Sequence, residues 1–377
     1  MFRGQCIVGY WLTEQVYQTR PYGEKRPWDY LNTDATSENG IGKFKKDFAT
    51  GALAHPDGFP IHVFFNGKDA GIYALNLKKH RDNYYAEKDN PNNIILDGLI
   101  DAGTLFGGTV DWTQFEIRNP KSLVTINNGK YDGDNPSEIT GDEEVDKVTA
   151  DTRKNIERLA KAAAELSSNK TKETFEKYFI VEPFIDYFLI SNVIHNADGF
   201  RKNWIWCTWD GNRWTPTSYD MDSIFGMLAN GTGIVPDGEW VTDPYQDVAF
   251  WSNSNMLLGT GRYNAGIIRP MWDLYKDEIR KRYKELRDNG VFTTENILNL
   301  LNKWLDKVGY DNLKGDIEGV CAYNDVPQTP SYRDGNGSYA LLPNTGGFFN
   351  SPMRVKKWLD NHFEYLDSET IFNYNNN

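Results

Sequence analysis

N-V-I-H-N-A-D-G-F-R-K-N-W-I-W-C-T-W-D-G-N-R-W-T-P-T-S-Y-D-M-D-S-I-F-G, residues 192–226, reads as a polar loop, a strand, a turn, a second strand and an acidic loop. Trp204, Trp206 and Thr208 alternate with Ile205, Cys207 and Trp209, which is the period-2 signature of a strand. Asp210, Gly211 and Asn212 then supply turn chemistry, because Gly accepts positive φ and Asp and Asn bond to nearby backbone. The return strand, Trp214 to Ser218, is expected to break at Pro216, which has no N–H to donate. A hairpin of this kind brings its two outer ends together. The segment from His195 to Asn203 therefore meets Asp220 and Asp222.

Three carboxylates (Asp198, Asp220 and Asp222), the carboxamide of Asn203, and two cations (Arg201 and Lys202) converge there. Mg²⁺ and Mn²⁺ prefer hard oxygen donors, so Asn203, Asp220 and Asp222 are the natural metal ligands. Asp198 precedes Asn203 by five residues. Phosphoryl transfer uses the same interval: an Asp takes the hydroxyl proton, an Asn holds one metal, and an Asp beyond a short hairpin holds the other. Arg201 and Lys202 suit neutralisation of the transferring phosphoryl group. On spacing alone a second reading stays open, because Asp and Asn also crowd into ordinary solvated turns and helix caps.

N-A-D-G-F-R-K-N-W followed by Y-D-M-D-S-I-F-G resembles the signature of the spore-coat CotH kinase family, with Tyr219 where that family usually has Trp. The helix F-I-D-Y-F-L-I-S-N, the hairpin N-G-K-D-A-G-I-Y near residue 70 and the helix R-V-K-K-W-L near the end look like the family in the same order. The resemblance spans residues 1 to about 367. It implies an α+β, atypical protein-kinase-like fold of two lobes. Residues 1–100 would form a reduced, strand-rich N-lobe with the hairpin at 61–77, and residues 101–377 a larger helical C-lobe carrying the loops at 192–226. It also implies ATP, with Mg²⁺ or Mn²⁺, as cofactors and transfer to Ser or Thr hydroxyls of a protein. By resemblance, Asp198 and Lys202 are catalytic, Arg201, Asn196 and Lys78 face the nucleotide, and Asn203, Asp220 and Asp222 hold the metal. The family's R-G-N-S loop before its first helix has no counterpart here, so the expectation is divided between a segment supplied by another chain or a longer parent and a degenerate site. The family's Glu four residues after the position of Tyr73 is Leu77, followed by Lys78 and Lys79, either of which is placed to approach a phosphate.

With 377 residues, 39% hydrophobic and 25% charged, the chain can bury a sizeable core and has the composition of a globular protein. A net charge of -12 argues against nucleic acid as partner. No apolar run reaches about 18 residues, so no membrane-spanning helix is expected. The N-terminus lacks the charged-then-apolar order of a signal peptide, and the compartment stays open between cell-surface, spore-coat and virion settings. Cys6, Cys207 and Cys321 are too few and too scattered for a disulfide framework or a zinc site, and the five His are dispersed. Twelve Trp and 21 Tyr suit a core of aromatic strands before they suit a carbohydrate-binding surface.

Along the chain, Ile7, Val8, Trp11, Leu12 and Val16 share one face of a helix over 4–18. Residues 19–60 read as irregular, and strands are expected at 93–96, 112–117 and 123–126. The acidic loop from Asp132 to Glu144 departs from a calcium loop, with Ser137 where Gly is needed, and reads as solvated. Helices are expected over 152–167, over 172–194 with a break at Pro183, and over 271–287, 294–308 and 352–366. Residues 227–264, with Trp240, Tyr245, Phe250 and Trp251, form a candidate substrate-facing loop. The tail 373–377 is expected to fray. Two functions compete with phosphoryl transfer. One is a non-catalytic pseudokinase or structural surface module. The other is a nucleotide-sugar glycosyltransferase using Asp220 and Asp222 as a D-x-D motif, although the strand–helix alternation of a Rossmann-like domain does not precede it.

Overall fold

The computed structural model describes residues 3–20, 26–31, 52–77, 79–98, 108, 110, 115–120, 143–196, 199, 203–221, 224–225, 265–309, 311–312, 331–333, 339–341, 352–369 and 371–376. The fold is a mixture of helices and small antiparallel sheets, in agreement with the α+β reading. At its centre lies a four-stranded sheet of order β4-β3-β5-β6, built from β3 (Ile94–Gly98), β4 (Phe115–Asn119), β5 (Trp204–Thr208) and β6 (Trp214–Ser218). A separate hairpin pairs β1 (Gly58–Phe65) with β2 (Lys68–Asn76), turning at Asn66 and Gly67. A third, small ladder joins β7 (Ser331–Arg333) to β8 (Tyr339–Leu341).

Every residue of β5 and β6 is buried, so both faces of the hairpin are covered. Trp204, Trp206 and Trp214 join a core with Phe175, Phe179 and Phe184. Phe184 meets Trp206 edge-to-face at 5.6 Å, and Trp204 meets Trp206 the same way at 5.1 Å. Such pairs add about 0.5–1.5 kcal/mol each beyond the area they bury. On the other face, Ile205, Cys207 and Trp209 pack with Trp28, Tyr84 and Tyr85. Trp209 Nε1–H also donates to the Tyr84 carbonyl at 2.7 Å. Within the described residues, much of the aromatic richness is core. The turn behaves as its chemistry demands: Gly211 has φ +71, and Asp210 Oδ1 accepts from the N–H groups of Asn212 and Arg213 at 2.8 and 2.7 Å.

Pro216 does not interrupt β6, contrary to expectation; it pairs in register with Trp206. The reason is position. β6 is an edge strand of the sheet, and an edge strand tolerates Pro because its missing N–H can fall on the unpaired side. Among the described residues the outer side of β6 is engaged near Trp214, which accepts from Ile180 N–H at 2.9 Å and donates to the Tyr178 carbonyl at 2.7 Å.

The helices are α1 (Arg3–Gln18), α2 (Glu143–Ala160), α3 (Ala162–Ser168), α4 (Lys172–Glu176), α5 (Val181–Val193), α6 (Ala265–Asp288), α7 (Thr294–Val308) and α8 (Pro352–Leu366). α1, α7 and α8 stand where the apolar spacing puts them. The helix read over 152–167 starts earlier, at Glu143, and is divided at Lys161. The added residues include Val145, Asp146, Val148, Thr149 and Asp151, all weak helix formers, so local propensity did not mark the earlier start. The two helices expected over 172–194 are present, but the break between them lies at 177–180, ahead of Pro183. α4 ends at Glu176, and Pro183 sits in the first turn of α5, where a missing N–H has no intrahelical partner to lose. The tail is not frayed in its described part: the Tyr374 hydroxyl donates to Asp288 at 3.0 Å, and its ring lies 5.0 Å from the Arg287 guanidinium.

One buried ion cluster ties α1, α5 and α6 together. Asp186 on α5, 2% exposed, accepts from Arg20 Nε at 2.7 Å and from Arg282 Nε at 2.9 Å. Arg282 also donates to the Val16 carbonyl at 2.9 Å and to Thr19 Oγ1 at 3.0 Å, and Arg20 donates to the Glu182 carbonyl at 2.7 Å. The expected strand at 123–126, the acidic loop 132–142 and the aromatic loop 227–264 lie outside the described residues.

Candidate active site

α5 is buried from Pro183 to Val193, with Asp186, Ser191 and Asn192 among its otherwise mostly apolar residues, which makes it a rigid stem for the loop it carries. Where it ends, the chain reverses at His195, whose φ is +57. A left-handed non-glycine residue is uncommon and needs surrounding contacts to hold it. Asn196 N–H donates to the Ser191 carbonyl at 2.7 Å, closing the turn. Asn196 Oδ1 then accepts from Gly199 N–H at 3.1 Å, while the Tyr187 hydroxyl donates to the Gly199 carbonyl at 2.5 Å. A Cβ at position 199 would collide with the Asn196 carboxamide, so the bracket requires glycine there. Asn196 and Gly199 are therefore fixed on either side of the sequence position of Asp198. Among the described residues, Asn196 Nδ2 is buried without a hydrogen-bond partner, a donor available to a ligand.

The acidic loop is tied to the same stem. β5 and β6 pair Trp204 with Ser218, so the next residues outward, Asn203 and Tyr219, leave the sheet at one end, and Asp220 follows directly. Asn203 and Asp220 are both part-exposed, as ligands facing a solvent-accessible site must be. Phe225, also left-handed at φ +57, donates its N–H to the Ile194 carbonyl at 2.8 Å. That single bond joins the loop after β6 to the loop after α5.

Two contacts at this end were not foreseen from sequence. Cys6 Sγ on α1 lies 3.6 Å from Asp220 Oδ1, a thiol donating to a carboxylate. The Tyr10 hydroxyl is hydrogen-bonded to Cys6, and burial, with Cys6 and Asp220 close by, pushes its pKa far above the usual phenol value. It stays neutral. Gly9 permits this approach of α1: a Cβ there would collide with Met221, coming to 3.3 Å even from the Met221 Cβ. The second contact is Lys79, whose ammonium donates to Asp97 Oδ2 at 2.6 Å and sits 3.4 Å over the Tyr219 ring centroid. Asp97 is 1% exposed on the side chain and is shared with Arg118 Nε at 3.0 Å. The sequence signal was there, in one carboxylate closing the apolar run Ile94-Ile95-Leu96-Asp97, but its partners come from the segment after β2 and from β4.

Of the residues singled out from sequence, Asn196, Asn203 and Asp220 are described, and the register brings Asn203 and Asp220 to one end of the sheet. Asp198, Arg201, Lys202, Asp222 and Lys78 lie outside the described residues. Among the described residues no three His, Cys, Asp or Glu side chains gather into a metal-binding group. The donors that are described, a carboxylate and a carboxamide, fit a hard divalent cation.

A family model described as CotH kinase protein matches residues 44–320, well over half of the chain. The chain belongs to the CotH kinase family. No curated protein matches it. The matched segment runs from before β1 to beyond α7, so it takes in the loops at 192–226 and leaves out α1 and α8. It is narrower than the resemblance read from the motifs, which extends to α1 and α8. Both of those helices nevertheless pack against the family site. Among the described residues no helix is long and apolar enough to cross a membrane.

α8 contributes a buried histidine. His362 Nε2–H donates to the Asn192 carbonyl at 2.8 Å, one of the carbonyls left over at the C-terminus of α5. Burial is the largest influence on it and, with His195 nearby, lowers its pKa from 6.5 to about 3. Between pH 6.5 and about 3 the unfolded chain binds a proton here that the native chain refuses. Stability is therefore fully present above pH 6.5 and falls with acid below it, by up to about 1.4 kcal/mol per pH unit. Urea midpoints measured from pH 7.5 to 4 are expected to fall more steeply for the wild type than for His362→Gln. Parallel curves would show that His362 does not titrate in this way.

Proposed function

We propose that this chain transfers a phosphoryl group from ATP to a Ser or Thr hydroxyl of a protein, a reading that its membership of a kinase family supports. The observation that carries the reading is the strand register that sets Asn203 beside the Tyr219–Asp220 corner, with the loop after α5 bonded to the same corner through Phe225. Asn203, Asp220 and Asp222 are proposed to hold Mg²⁺ or Mn²⁺ on the phosphates. The metal, when bound, neutralises charge on the phosphate oxygens.

Asp198 accepts the acceptor hydroxyl's proton, and Lys202 balances the negative charge beside it. Arg201 and Lys78 face the phosphates, and Asn196 offers its unpaired Nδ2–H to the nucleotide while its Oδ1 holds the loop. In the two-lobed reading, residues 1–100 are the reduced N-lobe and 101–377 the C-lobe, with β3 reaching across to pair with β5. The β1–β2 hairpin then turns its open apolar face, which includes Phe59, Tyr73 and Leu75, towards the nucleotide. The acceptor is a protein with a Ser or Thr hydroxyl, and the net charge of -12 argues against nucleic acid.

One observation favours a second reading, a non-catalytic member. Leu77, standing in place of the family's Glu, is 44% exposed, and Lys79 is already committed to Asp97. Thermal melting separates the two. ATP with Mg²⁺ or Mn²⁺ is expected to raise the wild-type midpoint, neither ligand alone should match it, and Asp220→Ala should abolish the shift. A ligand present at about 100 times its Kd adds about 2.7 kcal/mol. No shift at millimolar ATP and metal would turn the reading to a scaffold, and protection by a sugar nucleotide instead of ATP would turn it to glycosyl transfer.

A further inference from the structure

We propose that His362, with Trp358 one turn before it on α8, is a positioning residue that keeps the loop of Asn196 and Asp198 in register with the loop of Asp220 and Asp222. The proposal rests on the reading of those loops as catalytic. α8 lies beyond the segment that the family model matches, so the family assignment does not supply this role.

The Asn192 carbonyl accepts from two donors, His195 N–H at 3.2 Å and His362 Nε2–H at 2.8 Å. A carbonyl only accepts, so the imidazole must carry its proton on Nε2. Its lowered pKa keeps that tautomer neutral at physiological pH. The Trp358 ring stacks on His362 at 4.3 Å and 24°. The same indole meets His195 at 6.1 Å and Phe225 at 6.3 Å. Among the described residues of this region His195 and Phe225 are the left-handed non-glycine ones, one in each loop. Each needs packing to hold an unfavourable backbone conformation, and each finds it on the same face of α8. The Phe225 N–H bond to the Ile194 carbonyl closes the arrangement between the loops. One helix thus sets both turns, and a rotation of the Trp358–His362 pair moves Asn196 and Asp220 relative to one another.

The test compares His362→Phe, which keeps an aromatic ring and removes the donor, with His362→Gln, whose amide N–H can reach the same carbonyl. His362→Phe is expected to lower kcat about 10- to 100-fold, the range usual for outer groups that orient a site, with KM for ATP changed much less. Amide exchange at His195 and Phe225 should quicken, and His362→Gln should restore most of both. A folded His362→Phe with kcat within about twofold of the wild type overturns the proposal, and so does equal impairment in the two variants, which would mean packing alone. If the wild type transfers no phosphate, the kinase reading fails separately, and exchange alone decides: unchanged exchange at His195 and Phe225 in His362→Phe overturns the clamp, and faster exchange supports it. Should His362→Phe fail to fold, Trp358→Phe serves in its place. Faster exchange at both amides supports the proposal, and unchanged exchange sinks it.

Discussion

Asp198→Ala is expected to lower kcat by about 10²–10⁴, the range for loss of a positioned general base, while melting within about 1 °C of the wild type. The two halves of that expectation have different origins. Turnover falls because no other carboxylate occupies the position five residues before Asn203, where phosphoryl transfer needs a proton acceptor. Stability survives because the contacts that hold the loop belong to its neighbours. Asn196 Oδ1 on Gly199 N–H, Tyr187 on the Gly199 carbonyl and Asn196 N–H on the Ser191 carbonyl all persist without the Asp198 side chain. KM for ATP should change little, since Asp198 acts on the acceptor and not on the nucleotide. Steady-state kinetics on a purified acceptor, alongside melting with ATP and metal, checks this. Full activity in Asp198→Ala would remove Asp198 from the mechanism, and a large loss of stability would show that it belongs to the frame of the loop.

Asp186→Ala is expected to cost about 3–5 kcal/mol, the largest stability loss from one side chain outside the apolar core, because it leaves buried cations without their carboxylate. Arg20 and Arg282 converge on Asp186 from just beyond α1 and from α6, with side chains 10% and 4% exposed. Neither can turn to water easily: Arg282 is also held by the Val16 carbonyl and Thr19, and Arg20 by the Glu182 carbonyl. The charges cannot be removed by deprotonation, since an arginine stays protonated. Asp186→Asn should cost less, because the carboxamide oxygen still accepts one of the bonds. Urea unfolding of both variants checks the order. A loss under about 1 kcal/mol for Asp186→Ala would mean that water replaces the carboxylate and that the helices do not depend on it.

Where the evidence for an element lay within ten or fifteen residues, the sequence was readable. α7 and α8 begin and end where apolar spacing predicts, with Thr293 accepting from Asn296 N–H as the N-cap of α7. The turn at Asp210 and Gly211 was legible from its chemistry, and the loops at 192–226 carry enough of their motif to lead to the family. Pro216 and Pro183 were misjudged for one reason. A proline's effect depends on whether its missing N–H would have had a partner, and that was decided by β6 lying at the sheet edge and by α5 starting at Val181.

By itself, then, the sequence determined most of the local elements, the α+β class and the family. Only the tertiary structure decided that β3 pairs with β5 across a hundred residues, that Cys6 reaches Asp220 from α1, that Lys79 closes on Asp97 over Tyr219, and that His362 holds the end of α5. Turn chemistry and periodicity are properties of neighbouring residues and are written locally. Which distant face covers which is settled only when the whole apolar surface is buried at once and each buried donor has to find an acceptor.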